Sequence, residues 1–211
     1  MNAFSSGAPG GVVYLVDDES VVRDALVFLL GSRGLVVHAF DGAAALLSFL
    51  ASQPKPIRGI FLLDVRMEPM SGLRLHEALI EQGIRNPVLF LSGHGDIPMV
   101  VESLKKGAFD FLEKPYSDNT LADRVQQALA VEASSYAENA RAAEREARLA
   151  SLSEREREIM LRVAAGKLNK VIADELHIAI RTVEVHRARV FSKLGVRSAA
   201  ELAGLLAAAQ P

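Results

Sequence analysis

The chain contains no cysteine among its 211 residues. Disulfides, thiol nucleophiles and thiolate metal sites are therefore excluded together, and the composition fits a reducing compartment. Long apolar runs are absent too, because no stretch approaches the roughly 18 residues that a membrane helix requires. The first residues do not show the charged and then apolar pattern of a secretory signal. We expect a cytoplasmic protein that does not enter a membrane.

The charge is distributed unevenly along the chain. Residues 1–116 carry 10 Lys and Arg against 13 Asp and Glu, a net charge of −3, and residues 117–151 carry 4 against 6, a net charge of −2. Residues 152–211 carry 10 against 7, a net charge of +3. An acidic first part suits a metal or phosphate site, and a basic last part suits a polyanionic partner. The length and this change of character predict two domains.

Short apolar runs in the first 116 residues predict the strands of a parallel sheet. Runs at 12–16, 35–40, 60–63, 88–91 and 109–112 alternate with helical patterns at 20–32, 42–50, 72–81 and 98–106. Asp41 is the expected cap of the second helix, and Ser71 and Gly72 open the third. Repeated βα units close into a five-stranded parallel sheet of the α/β class, since their crossovers are right-handed.

Chemically active side chains follow four of these runs. They are Asp17 and Asp18, Asp64, Ser92, and Lys114. Ligands of open α/β sheets bind at the carboxyl ends of the strands, so these residues should meet at one edge. Taken singly, each has an ordinary explanation, because an Asp after a strand usually caps a helix and a Ser before Gly suits a turn. Their occurrence at four strand ends favours a common site.

Three carboxylates at one edge repel one another unless a cation lies among them. Hard oxygen ligands favour Mg²⁺, with Asp17 and Asp18 as its ligands. Asp64, on the central strand, is the candidate nucleophile toward a phosphoryl donor. Lys114 would neutralise charge on the transferred group, and Ser92 would donate a hydrogen bond to it.

Residues from about 11 to 130 resemble the receiver domains of response regulators. The resemblance depends on Asp17-Asp18, Asp64-Val65-Arg66-Met67, Ser92 to Asp96, and Phe109 to Pro115. It implies a flavodoxin-like (βα)5 fold, Asp64 as phospho-acceptor, and Mg²⁺ on Asp17, Asp18, Asp64 and the backbone carbonyl of Arg66. It also implies that Phe111 is a switch aromatic and that the peptide before Pro115 is cis. Glu68-Pro69 departs from the Pro-Gly that often follows in the family.

A long segment without glycine or proline follows, between Pro115 and Gly166. Its Ala, Glu, Arg and Leu content, with Glu144 and Arg148 four residues apart, predicts a helix over 117–150. The preferred interpretation is a semi-rigid spacer, and a dimerising helix is the alternative, because the apolar seam is impure. We assign 1–116 to the first domain, whose last helix continues to 131, then a linker at 132–151 and a second domain at 152–211.

The second domain is predicted to be all-α. A capping box at Ser153 to Glu156 begins a helix over 154–165, and helices at 169–176, 180–194 and 198–209 follow. The short turn between the second and third suggests a helix-turn-helix. In the third, Val183, Val190 and Leu194 should pack inward.

The opposite face of this third helix suits a DNA major groove. It carries Arg181, Glu184, Val185, Ala188 and Ser192, and phosphate contacts are expected from the flanks. The predicted DNA-contacting residues are Lys170, Arg181, Thr182, Glu184, Val185, Arg187, Ala188, Arg189 and Lys193. A solvated amphipathic helix would show the same periodicity.

About 55 residues from Leu152 onward resemble the DNA-binding domains of the LuxR/NarL type, through the segments beginning at Leu152, Asn169 and Arg181. The combination with a receiver looks most like FixJ-type two-component regulators. This implies a sensor histidine kinase that phosphorylates Asp64, a homodimer on phosphorylation, an inverted-repeat DNA operator, RNA polymerase as partner, and no enzymatic role beyond self-phosphorylation. Glu184 stands where some members have Lys, and a carboxylate would favour cytosine N4.

Two other functions remain open from the sequence. A DNA-binding regulator with a vestigial receiver would act without phosphorylation. A magnesium-dependent phosphatase that forms an aspartyl phosphate would use similar groups, but it would carry an acidic residue two positions after the nucleophile, where Arg66 stands.

Overall fold

The computed structural model describes residues 11–93 and 97–207, with the backbone alone at 97–100. The segment His94-Gly95-Asp96 and the predicted helix end at 208–209 lie outside the described residues. The chain forms two compact units, residues 1–135 and 136–211. The strands are β1 (Val12–Val16), β2 (Val36–Phe40), β3 (Ile60–Asp64), β4 (Val88–Ser92) and β5 (Asp110–Glu113). The helices are α1 (Ser20–Ser32), α2 (Ala43–Ala51), α3 (Gly72–Glu81), α4 (Ile97–Lys105), α5 (Asp118–Ala150), α6 (Glu154–Ala164), α7 (Asn169–Leu176), α8 (Ile180–Leu194) and α9 (Ala199–Ala207).

The five strands of the first unit form one parallel sheet in the order β2-β1-β3-β4-β5. This confirms the predicted α/β architecture. Apolar side chains pack on both faces, with Phe61 and Phe90 fully buried on one and Leu15 and Leu62 on the other. β3 and β4 are buried along their whole length, as expected for the centre of a sheet covered by helices.

The first residues of the helices show which of the predicted N-caps are correct. Ser71 caps α3 by accepting from Arg74 N, and Ser153 forms the predicted capping box with Glu156. The expected Asp41 cap of α2 is wrong, because the N-cap is Gly42 and it makes no side-chain bond. Asp41 stands one residue too early for its carboxylate to be the N-cap acceptor.

The second unit is a small helical core around α6, α7 and α8. Val183, Val190 and Leu194 are buried in it, as the periodicity predicts, together with Ile159 and Leu202. His177, in the left-handed conformation, ends α7 and α8 begins three residues later, which gives the compact turn of a helix-turn-helix. Over the described part of the chain, no helix has the length and apolarity needed to cross a membrane.

Candidate phosphoacceptor site and DNA-binding face

The carboxyl ends of β1, β3 and β4 bring the predicted site residues together. β1 and β4 both pair with β3. Asp17 directly follows β1, and Asp64 and Ser92 are the last residues of β3 and β4. All three are buried, with Asp17 and Ser92 fully so and Asp64 6% exposed. Lys114 follows β5 and reaches back across β4 to the two carboxylates. The residues that the sequence places at one edge of the sheet therefore lie together in one site.

Lys114 is the centre of the polar contacts at this edge. Its Nζ donates to Oδ1 of Asp64 at 2.7 Å and lies 3.4 Å from Oδ2 of Asp17. Burial raises the pKa of the Asp64 carboxyl above its ordinary value, although the bond from Lys114 opposes this. Burial alone would lower the pKa of Lys114, but the hydrogen bond and charge of Asp64, together with the charge of Asp17, outweigh burial and raise it. Asp64 is thus a desolvated carboxylate held beside a cation.

Backbone groups fix the orientation of both buried carboxylates. Oδ2 of Asp64 accepts from the N–H of Arg66 at 2.7 Å, and Oδ1 of Asp17 accepts from the N–H of Glu19 at 2.9 Å. The carbonyl of Asp17 accepts from Nη1 of Arg23 at 2.7 Å. Sequence reasoning missed Arg23, whose position one turn into α1 was the available signal. The carboxylates cannot rotate freely, so their oxygens face the site.

Ser92 and Phe111 lie on the neighbouring strands β4 and β5. The hydroxyl of Ser92 is buried and has no hydrogen-bond partner among the described residues. A buried unpaired hydroxyl costs free energy, and a bound ligand is one way to satisfy it. Phe111 is half-buried against the core beneath α3 and α4. The peptide between Lys114 and Pro115 is cis, as the resemblance implied, and those before Pro56 and Pro69 are cis too.

The donor set at this edge fits a hard cation chemically. Asp17 and Asp64 are buried oxygen donors that share one ammonium, and Asp18 is exposed beside them, so negative charge exceeds positive charge among these four groups. The carbonyl of Arg66 belongs to the loop directly after β3. Within the described residues, no three acidic or histidine side chains already converge as a metal cage. Oxygen donors of this kind are the ligands that Mg²⁺ prefers, and Mg²⁺ keeps several waters when few protein ligands are present.

The exposed face of α8 presents the predicted base-reading residues. Arg181, Thr182, Glu184, Val185 and Ala188 are all exposed, and Val185 retains 45% of its surface. An exposed apolar side chain on this face would suit the methyl group of thymine.

The flanking cations fall into two groups. Lys170 and Arg189 are exposed and available to phosphate. Arg187 instead donates from Nη1 to Oδ1 of Asn169 at 2.9 Å and stacks over the ring of Phe191. Lys193 donates to Oε2 of Glu156 at 2.6 Å. The structure therefore places two of the predicted phosphate contacts in intramolecular bonds.

Comparison with known proteins gives both units a family. Residues 13–126 match the response regulator receiver domain, and residues 150–206 match the bacterial regulatory proteins of the luxR family. The C4-dicarboxylate transport transcriptional regulatory protein DctR of Rhodobacter capsulatus is 48% identical over 193 residues, covering 90% of this chain and 96% of DctR. The transcriptional regulatory protein FixJ of Bradyrhizobium diazoefficiens is 42% identical over 195 residues, covering 92% and 94%.

The fold agrees with this family. The solved structure of the response regulator StyR superposes with a TM-score of 0.87 at 38% identity and covers 93% of this chain and 98% of that chain. The chain belongs to the response regulators. More specifically, it is a two-component transcription regulator that joins a receiver domain to a luxR-family DNA-binding domain.

Proposed function

We propose that a sensor histidine kinase transfers a phosphoryl group to Asp64 and that this modification promotes dimerisation and sequence-specific DNA binding. The observation that carries the proposal is the surroundings of Asp64. A buried carboxylate has the Lys114 ammonium at 2.7 Å and lies beside a Ser92 hydroxyl that has no partner among the described residues. A receiver domain implies a kinase partner, and a luxR-family domain implies DNA.

The residues supply the steps of phosphoryl transfer. An oxygen of Asp64 attacks phosphorus, and the bond between phosphorus and the histidine nitrogen of the donor breaks. Lys114 neutralises charge on the phosphoryl oxygens, and the Ser92 hydroxyl donates a hydrogen bond to one of them. Asp17, Asp18, Asp64 and the carbonyl of Arg66 would hold Mg²⁺, which neutralises further charge at the transferred group when bound.

Phosphoryl uptake from acetyl phosphate tests this assignment directly. Intact-mass analysis should show one phosphoryl group on the wild-type chain and on Asp24→Asn, and none on Asp64→Asn. Asp24 is the matched control, because it is an exposed aspartate on α1 outside the site. Undiminished uptake by Asp64→Asn would exclude Asp64 as the acceptor.

The downstream steps belong to the second unit. We propose that two phosphorylated chains bind an inverted repeat in DNA through α8 and regulate transcription together with RNA polymerase, in the cytoplasm. Support comes from the exposed face at Arg181, Glu184 and Val185. Sedimentation and DNA binding, each with and without beryllofluoride and Mg²⁺, distinguish this from a regulator with a vestigial receiver. A vestigial receiver would leave both measurements unchanged.

A further inference from the structure

The C-terminal end of α8 is held by polar groups from the segment that precedes the DNA-binding core. Nη1 of Arg148 donates to the carbonyl of Leu194, the last residue of α8, at 3.2 Å. Nη2 of the same guanidinium donates to Oε1 of Glu144 at 2.7 Å, one turn earlier on α5. Carbonyls in the last turn of a helix lack helical partners, and a cation there also interacts favourably with the negative end of the helix dipole. Arg148 therefore caps α8 from outside.

Lys193 makes a second link at the same place. Its Nζ donates to the carbonyl of Ser151 at 3.0 Å and to Oε2 of Glu156 at 2.6 Å. Glu156 is 4% exposed, and its Oε2 also accepts from Ser153 N at 2.9 Å. The last two residues of α8 are thus bonded to the last residues before α6 and to the capping box that begins α6.

Gly195 leaves room for the first of these links. It is the left-handed C-cap of α8, with φ of 70°, and a Cβ at this position would lie 2.8 Å from Nη1 of Arg148. Leu149, the neighbour of Arg148, packs against the apolar core of this unit. Residues 148–151 therefore make both polar and apolar contacts with the helical core of the second unit.

We propose that Arg148 and Lys193 are positioning residues for DNA recognition, which set the angle at which α8 enters the groove without touching DNA themselves. Glu184 lies ten residues before Leu194, a distance of about 15 Å along a helix. A tilt of about 5° at the braced end would move Glu184 by about 1.3 Å, enough to break a base-edge hydrogen bond. The proposal depends on the DNA-binding role of α8, and it gives Lys193 a different part from the phosphate contact that its charge suggests.

Salt dependence separates the two roles of Lys193. A lysine that contacts phosphate contributes about 0.9 to the slope of log affinity against log salt. A lysine that braces the helix contributes nothing to this slope. The probe is a duplex that the full-length wild-type chain selects from a random library, with beryllofluoride and Mg²⁺ present, and an unrelated duplex measures non-specific binding.

Arg148→Ala and Lys193→Ala should each bind the selected duplex about 5- to 10-fold more weakly, with an unchanged salt slope and unchanged non-specific affinity. Arg148→Lys, which keeps a cationic donor, should recover part of the loss. Arg145→Ala is the matched control, because Arg145 lies on the same helix, whereas the bonds that hold the end of α8 in the described part of the chain involve Arg148, Ser151 and Glu156. It should bind like the wild type.

The combined variant Lys193→Ala with Glu156→Gln should bind no more weakly than Lys193→Ala alone, because the lysine acts through that carboxylate. The glutamine still accepts from Ser153 N, so the start of α6 is kept. A salt slope reduced by about 0.9 in Lys193→Ala would overturn the proposal in favour of a phosphate contact. So would wild-type binding by Arg148→Ala, or a loss of specific and non-specific affinity in equal proportion. A wild-type chain that selects no duplex would instead refute the DNA-binding function itself.

Discussion

Gly72→Ala should destabilise the receiver unit, although helix propensity alone predicts the opposite. Gly72 is the first residue of α3 and packs directly on the end of β3. A Cβ there would lie 2.1 Å from the carbonyl oxygen of Asp64 and 3.0 Å from its carbonyl carbon. Both contacts are with backbone, so no side chain can rotate away to relieve them.

The magnitude follows from this overlap. Real Cβ atoms essentially never approach other heavy atoms closer than 3.0 Å, so β3 and α3 must separate by about 0.9 Å at this point. Overpacking of this kind costs about 1–3 kcal/mol. Alanine gains about 0.5–1 kcal/mol over glycine in the middle of a helix. The gain is smaller at a first residue such as Gly72, so it offsets only part of the cost. We expect a net loss of about 1–2 kcal/mol, and slower phosphoryl uptake because the displaced carbonyl belongs to Asp64.

Calorimetric unfolding of the full chain and phosphoryl uptake from acetyl phosphate measure the two effects. Gly31→Ala is the matched control, because Gly31 lies in α1 and a Cβ added to it would have no neighbouring atom within 4 Å. This control should unfold at the wild-type temperature or slightly above it. If the Gly72→Ala protein is as stable as the wild type, α3 and β3 can separate without cost, and the steric argument is wrong.

Three further predictions concern switching, base choice and pH. Ser92→Ala should still take up a phosphoryl group but should not dimerise, because the group that senses it is missing; sedimentation of the phosphorylated variant checks this. Glu184→Lys should change the preferred base at one position per half-site, worth about 1–3 kcal/mol, whereas Lys170→Ala should weaken all sites alike; binding selection tests both. The bond from Lys193, together with the bonds from Ser153, lowers the pKa of Glu156 from 4.5 to about 2. The ionised Glu156 carboxylate stabilises the fold fully above pH 4.5, and this stabilisation is lost as the pH falls toward 2. The difference in melting temperature between the wild type and Glu156→Gln should therefore shrink over that range.

The sequence was sufficient to predict the site at the sheet edge. Each strand is a short apolar run, and the parallel arrangement places the ends of neighbouring strands together whatever the details of packing. Asp64, Ser92 and Lys114 could therefore be brought together from positions up to 50 residues apart. The capping box at Ser153 was equally predictable, because its partners are three residues apart and depend on local geometry alone.

Contacts that depend on how elements pack were not predictable in the same way. Arg23 reaches the carbonyl of Asp17, and Lys193 reaches a carboxylate 37 residues away. Periodicity shows which face of α8 is polar, but it does not distinguish a lysine that faces DNA from one that faces a buried glutamate. The close approach of Gly72 to Asp64 is likewise invisible in the sequence, where the glycine only marks a helix start.

The two units each contain a buried carboxylate paired with a lysine, and hydrogen-bond accounting separates their roles. Glu156 has its capping bonds to Ser153 and its bond to Lys193, so the pair is a closed arrangement that stabilises one geometry. Asp64 and Lys114 lie instead beside a Ser92 hydroxyl without a partner in the described residues, and beside a second buried carboxylate that the single ammonium cannot fully compensate. An arrangement left unsatisfied in this way would be stabilised by a phosphoryl group and a cation, because they would supply the missing acceptor and the missing positive charge. The same residue types therefore form a closed pair in one unit and a partly unpaired site in the other, and the difference lies in the groups left without partners among the described residues.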